Sequence, residues 1–487
     1  MSGRTFEGAL ERVEETVWRI PRSYKKGMLV DGLIYSSPRL IAQVVSDRAP
    51  EQVANVAFLP GIQMASLAMP DIHWGYGFAI GGVCATDPAA GGVVSPGGVG
   101  YDINCGVRLI RTDLSADDIA PQLRELVDSL FAHIPLGLGQ GSKHHFGDGE
   151  LDQLMAQGPS YLVGKGLATD RDIDFTEARG RLDGAEPDFV SERAHERGRG
   201  QCGSLGSGNH FVEIQAVQRI EETTAAAAMG LAEGQVVVMI HSGSRGLGYQ
   251  VCDDSLRALR DSPARHGIDL PDQQLACAPI ESKEGRHYLG AMAAAANFGW
   301  CNRQLLMWQA RQAFEAALGR PWQELGMELV YDVAHNTAKL EEHTIDGATK
   351  QVLVHRKGAT RAFPPGHLEV PEPYREVGQP VLIPGDMGRA SWVLAGRPGA
   401  MERTFGSSCH GAGRAMSRKA SVKAAKGRDI GAELAAAGIV ARSKGWRGLA
   451  EEQSDAYKDV DEVVDVVDRA GLSAKVARLV PLGVIKG

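Results

Sequence analysis

Four histidines, a cysteine and an aspartate stand in turns where their side chains could meet a ligand. Asp102 and Cys105 lie three residues apart in Val99-Gly-Tyr-Asp-Ile-Asn-Cys-Gly106. A carboxylate and a thiolate so close can both reach metal ions, and a thiolate sulfur can bridge two of them. His210 follows the glycine turn of Gly206-Ser-Gly-Asn-His-Phe-Val-Glu213, with Asn209 beside it. His241 ends the apolar run Val236–Ile240 and opens a Ser-Gly-Ser-Arg-Gly loop, and His335 ends Leu329-Val-Tyr-Asp-Val-Ala334. Taken singly, each histidine is as well explained by a structural role, and the aspartate–cysteine pair by a buried thiol. Three histidines delivered alike to strand ends form a pattern, because loops at strand ends on a rigid sheet are where sites form. Imidazole, carboxylate and thiolate together suit one or two divalent transition metals. A pure magnesium site would use oxygen throughout, so zinc, manganese, cobalt and iron stay open.

The fourth histidine has other surroundings. His410 lies in Phe405-Gly-Ser-Ser-Cys-His-Gly-Ala-Gly-Arg414, where the backbone amides of Gly-Ala-Gly could cradle a phosphate. Such a histidine can be a nucleophile, a general base or a further ligand. From Arg403 to Arg428 there are seven Lys/Arg and no acid, in a chain whose formal charge is −8. A charge run alone would read as a solvated helix face. On an acidic protein, beside His410, it can instead direct a polyanion to one place, with Arg414 and Arg418 neutralising phosphate. Gly137–Lys143 misses the spacing of a phosphate loop, no G-x-G-x-x-G follows a strand, and the K-x-D-G box of lysine-adenylating ligases is absent.

Elements able to position these residues are legible. Runs rich in β-branched residues recur at Val236–Ile240, Leu329–Val333, Val352–Val354 and Val381–Ile383. Between them, Ala225–Ala232 and Tyr288–Leu318 carry helical patterns, the second with heavily buried faces. The expected fold is α+β or α/β, with strands and helices mixed around a shared core, and the expected organisation a single domain spanning 1–487. The polar stretch 147–199 is expected to be a peripheral insertion or lid. With 43% hydrophobic residues the chain can bury a large core and is not disordered. Seven cysteines without a C-x-x-C pair speak against a disulfide framework and a zinc knuckle, and for a reducing cytoplasm. No signal peptide and no apolar run of about 18 residues is found, so a soluble protein away from membranes is expected.

These motifs together resemble the RtcB family of tRNA-splicing and RNA-repair ligases. The likeness runs through Pro70-Asp-Ile-His-Trp-Gly-Tyr-Gly77, Gly98–Gly106, Gly208–Glu213, His241–Gly246, Ala293–Trp300, Val333–Asn336, His355–Arg361, His410–Arg414 and Lys486, in the family's order. It implies a GTP-dependent enzyme that joins RNA 3′-phosphate or 2′,3′-cyclic phosphate ends to 5′-hydroxyl ends. Asp102, Cys105 and His210 would hold one manganese ion, and Cys105, His241 and His335 a second. His410 would be the catalytic residue, carrying GMP. Contacts to the nucleotide would come from Asn209, His210, Phe211, Val212, Glu213, His335, Asn336, Pro384, Gly385, Asp386, Met387, Ser391, His410, Gly411, Ala412, Gly413, Tyr457 and Lys486. Arg356, Lys357, Arg361, Arg414 and Arg418 would bind the RNA backbone, so activity should weaken with salt. Some family members have serine where Asp386 stands, and a carboxylate there would repel a bare phosphate. The partner expected is RNA, with an archease-type activator left open and a monomer as default. Two other readings share these residues: a two-metal phosphodiesterase or phosphatase, and a non-catalytic metal- and RNA-binding protein.

Overall fold

The computed structural model describes residues 5–137, 142 and 144–487. Most of the Gly137–Lys143 stretch therefore lies outside the described residues.

Two large sheets organise the chain. The first has eight strands. Seven run in the order Glu328–Ala334, Gly106–Ser115, Gln235–Ser242, Phe211–Ile220, Ser473–Lys486, Ser391–Gly396 and Pro380–Ile383, and Val440–Ser443 pairs alongside Ser473–Lys486. Its central strands are covered on both faces, which is why Val236–Ile240 reads as an unbroken apolar run, all at 0% exposure. The second sheet has seven strands, from Glu11–Arg12 at one edge through Ala65–His73 and Ile80–Thr86 to Ala348–Lys357 and Asn336–Ile345 at the other. Alternating side chains join the sheets. Val381, Ile383, Trp392 and Leu394 of the first pack in one cluster with Leu67, Met69, Val83, Val352 and Val354 of the second and with the helix Val460–Arg469. Fold class is as the sequence implied, helices and mixed sheets around a shared core.

The other face of the first sheet is covered by Leu123–His133 and by one 36-residue helix, Lys283–Leu318. Ser282 caps it by accepting from the Gly285 amide at 3.0 Å, and Gly319 ends it at φ +65°. The buried alanines at 293–296 lose little side-chain entropy in a helix and let neighbouring backbone come close. That approach matters for the site. Asn104, held at φ +51°, donates from Nδ2 to the Ala296 carbonyl at 2.5 Å, seating the Asp102–Cys105 turn on the helix. The 147–199 stretch packs against the same helix through Leu151, Leu154, Met155 and Leu162. Buried Asp172 in it meets Arg311 of the helix in a two-pronged ion pair at 2.9 Å. Among the described residues no helix is long and apolar enough to cross a membrane.

Candidate active site

Register assembles the site. Gly106 pairs with both Ala334 and Ser242, Phe211 pairs with His241, and Lys486 pairs with Phe211. Neighbouring strands therefore end together and present His335, Cys105, His241, His210 and Lys486 side by side. Further along the same edge, Ile383 pairs with Trp392, setting Pro384 near Ser391. One end of one sheet thus runs from four prospective metal ligands to the prospective nucleotide pocket. Gly106 has to be glycine, since a Cβ would sit 2.2 Å from the Val333 carbonyl oxygen and 2.8 Å from Arg303 Cζ.

Within this row the heteroatoms converge. Cys105 Sγ lies 3.4 Å from His210 Nε2 and 3.3 Å from His241 Nε2. His210 Nε2 is 2.9 Å from Asp102 Oδ2, and His241 Nε2 is 3.2 Å from His335 Nε2. Two triads, Asp102–Cys105–His210 and Cys105–His241–His335, each bring their donor atoms within 4.8 Å of one another and share the sulfur. A ring nitrogen offers one lone pair or one hydrogen, so His241 Nε2 cannot satisfy both the sulfur and His335. Asp102 Oδ1 is also buried without a hydrogen-bond partner. A shared cation resolves that conflict, and imidazole, carboxylate and thiolate fit a divalent transition metal. Burial and mutual repulsion keep the imidazoles neutral: His241 and His335 are both held well below the usual histidine range, first by desolvation and then by nearby cationic groups. Burial and Asp102 push the Cys105 thiol well up, a bias that a bound cation reverses.

His410 comes from outside this row. It follows the short strand Ser407–Cys409, and its ring centre is 4.9 Å from that of His335. Its orientation is fixed by Asp71, from the second sheet. Asp71 Oδ2 accepts from His410 Nδ1 at 2.6 Å and from the backbone amides of His410 and Gly411 at 3.0 and 3.3 Å. A carboxylate of this kind only accepts, so Nδ1 carries a proton, and in the neutral ring Nε2 is the nitrogen with the lone pair. Burial alone would raise the Asp71 carboxyl, but charge and hydrogen bonds from His410 hold it below the usual range.

The prospective nucleotide side of the cleft is also a network of buried polar groups. Burial pushes Glu213 up to about 8, against the Gln215 amide, which donates to it at 2.5 Å, and Lys486. Ser391 Oγ accepts from Gln215 at 3.0 Å and from the Gly385 amide at 3.2 Å. Tyr457 donates to buried Glu452, which also takes Arg414 Nη1 at 2.9 Å. Asp386, expected to repel a phosphate, accepts instead from the Ser454 hydroxyl and the Gly388 amide and pairs with Arg389 at 3.4 Å.

A cleft of about 600 Å³ gathers nearly all the residues singled out from sequence. Asp102, Cys105, Asn209, His210, Phe211, Glu213, His241, His335, Asn336, Pro384–Met387, Ser391, His410–Gly413, Tyr457 and Lys486 line it, with Lys357, Arg414 and Arg418. Val212 does not, because strand alternation turns it into the core at 0% exposure. Two expected RNA contacts are corrected. Arg356 and Arg361 are each 1% exposed. Arg356 is bound by Glu341 at 2.6 and 2.8 Å, and Arg361 by Glu369 at 2.5 Å and by Gln379 at 2.9 Å, so neither can reach a backbone phosphate. The basic stripe is likewise partly neutralised by acids outside it, Glu14 on Arg403 and Glu433 and Asp455 on Arg428.

Sequence reasoning assigned no role to Asp71 or Arg303. Asp71 was visible only as part of a motif 339 residues from its partner. Arg303 reaches Asp332 at 2.8 and 2.9 Å, the Asn104 carbonyl at 2.6 Å and the Ser242 carbonyl at 2.9 Å, tying together the turns that carry Cys105 and His241. An arginine inside an apolar helix was its only signal.

Comparison with known proteins makes the class definite: the chain is an enzyme, a ligase. A family model described as "tRNA-splicing ligase RtcB" matches residues 52–487. A protein of Archaeoglobus fulgidus called tRNA-splicing ligase RtcB is 53% identical over 482 residues, covering 99% of this chain and 100% of its own length. A protein of the same description from Thermococcus kodakarensis is 52% identical over 478 residues, 98% of this chain and 99% of its own. The RNA-splicing ligase RtcB of Mycobacterium tuberculosis is 52% identical over 438 residues, 90% of this chain and 100% of its own. The chain belongs to the RtcB family.

Proposed function

We propose that this ligase joins RNA ends by nucleotidyl transfer through His410, with GTP as the nucleotide and tRNA halves among its substrates. One observation carries the reading. A histidine whose Nδ1 is tied to Asp71 presents a bare Nε2 beside a transition-metal donor cluster, in a cleft that continues to a base-sized polar pocket. The Nε2 lone pair attacks the α-phosphorus of GTP, forming an N–P bond while pyrophosphate leaves with the broken bond's electrons. An oxygen of an RNA 3′-phosphate then takes the GMP and frees the histidine. Finally a 5′-hydroxyl attacks the RNA 3′-phosphorus and GMP departs, leaving a phosphodiester; a 2′,3′-cyclic phosphate is first opened to the 3′-phosphate. Asp102, Cys105 and His210 would hold one manganese ion and Cys105, His241 and His335 the other, sharing the thiolate. Bound there, the ions would supply charge neutralisation for the phosphates and a template for the attacking and leaving oxygens. Arg418 faces the same cleft and offers a cation to RNA phosphates, while Arg414 is held by Glu452 and the Lys357 ammonium by the Tyr76 and Phe78 carbonyls.

Label retention tests this. Wild-type protein given manganese and α-labelled GTP should keep label after denaturation, and acid should release it, as it cleaves P–N bonds. Protein that stays unlabelled while still cleaving cyclic phosphates would point to the phosphodiesterase reading.

Asp71 sets the tautomer in this scheme, so Asp71→Asn should slow guanylylation by about 10²–10⁴-fold, since an asparagine amide can hold the wrong tautomer. Metal content, measured by elemental analysis after dialysis, should stay at the wild-type level; loss of metal would assign Asp71 a different task.

Glu213 gives a pH signature. In the free protein its carboxyl is protonated below about 8. The N–H donors of guanine favour the carboxylate, so binding expels the proton. Affinity for GTP should rise with pH and level off above about 8, approaching tenfold per pH unit on the rising limb. Calorimetry in two buffers of different ionisation enthalpy should show the released proton in wild type and none in Glu213→Gln.

A further inference from the structure

His73 is drawn into the cleft by the same strand as Asp71 and has no part in the scheme above. The His73 ring lines the same cleft as His410. Its Nδ1 is 2.9 Å from the Asp71 carbonyl oxygen. A carbonyl only accepts, so Nδ1 is the protonated nitrogen and Nε2 bears the lone pair. Among the described residues no protein group meets Nε2, and the half-buried ring lines the cleft. The Asp71 carbonyl also fixes what lies opposite. A Cβ on Gly413, at φ +72°, would stand 2.2 Å from that oxygen. His73 and His410 both bond to Asp71, one to its carbonyl and the other to its carboxylate. A bare acceptor beside the histidine that takes the phosphorus can meet a hydroxyl of the sugar attached to that phosphorus.

We propose that His73 Nε2 accepts a hydrogen bond from a ribose hydroxyl of the bound substrate and so selects ribose over deoxyribose. The inference rests on the nucleotidyl-transfer reading. Two sources offer this hydroxyl: the ribose of the guanosine nucleotide, or the 2′-hydroxyl beside the 3′-phosphate of the RNA. Chemistry gives the choice of residue a purpose. Once the 3′-phosphate carries GMP, the vicinal 2′-hydroxyl could attack the same phosphorus and close a cyclic phosphate if a base took its proton. Desolvation holds the His73 imidazole down to about 3, against the Asp71 carbonyl that favours its protonation. It can accept a hydrogen bond from a hydroxyl but removes its proton poorly.

The test compares ratios. Guanylylation is followed with GTP, 2′-deoxyGTP and 3′-deoxyGTP, and sealing with RNA whose 3′-phosphate-bearing nucleotide is ribo or 2′-deoxy. Wild type should prefer the hydroxyl in one arm by on the order of tenfold in kcat/KM, the scale of one hydrogen bond in a dry site. His73→Phe should collapse that ratio towards one, and the arm in which it collapses identifies the source. His73→Gln, which keeps an acceptor, should retain part of it. If phenylalanine prevents folding, His73→Met carries the same comparison. Wild type without preference in either arm overturns the proposal, and so does a ratio that survives loss of the acceptor. Retained label on His410 in these variants separates such a failure from failure of the nucleotidyl-transfer reading, in which no variant would be labelled.

Discussion

His410→Ala is expected to retain no label from α-labelled GTP and to seal no RNA. The expectation is all-or-none because, among the described residues, the other cleft histidine with a bare Nε2, His73, is held by desolvation down to about 3 and is a poor nucleophile. His210, His241 and His335 point their Nε2 atoms at Cys105, Asp102 or one another. Only at 410 does a carboxylate take the Nδ1 proton and leave Nε2 facing open cleft. Metal content and melting temperature should stay near wild type, since the ring is held by hydrogen bonds rather than core packing. Label appearing on the alanine variant would place the adduct on another side chain. A variant that sealed RNA unlabelled would remove the covalent step.

Cys105→Ser should leave a folded protein that loses both metals together. The sulfur belongs to both triads, so its loss weakens two sites where loss of His210 or His335 weakens one. A neutral hydroxyl is a far poorer ligand for a divalent cation than the anionic thiolate it replaces. Changing a residue that only supports a metal ligand typically costs about 10–100-fold in affinity or activity, and removing a bridging ligand should exceed that at each site. Ligation should fall by at least about 10³-fold at limiting manganese. Elemental analysis after dialysis, with thermal melting alongside, checks it. Serine is nearly isosteric at this buried position, so unfolding instead would mean the metals serve structure, the non-catalytic reading. Loss of one metal with the other retained would refute sharing of the sulfur.

Much of the site could be read from residue types before any geometry. The apolar run ending in His241 declared a strand that stops at a polar loop, whereas the one ending in His335 passes after that residue straight into Asn336–Ile345 of the other sheet; the register then did what spacing cannot, setting four strand ends level. The long helix was legible from its alanines, and its far end at Leu318 came out as read. What escaped had a common cause. Asp71 lies in a strand of one sheet and acts on a turn beside the other, and no local pattern encodes a contact 339 residues away. Arg356 and Arg361 misled for the reverse reason. Positive charge in a run looks solvent-facing until the fold supplies Glu341, Glu369 and Gln379 to bury it. Val212 was lost to simple alternation, flanked by two residues that do line the cleft.

The proposed attacking imidazole and the proposed metal donors hang from different supports. The donors follow the end of the eight-stranded sheet, while His410 is steered by Asp71 from the seven-stranded one; the two sheets are joined by the chain itself, where His335 alone separates Glu328–Ala334 from Asn336–Ile345, and by a layer of apolar side chains around Trp392 and Leu67. Aim at such a site thus depends in part on hydrocarbon packing some distance from any reacting atom. Slackening that layer would leave cations bound and the histidine intact, yet throw the shot wide.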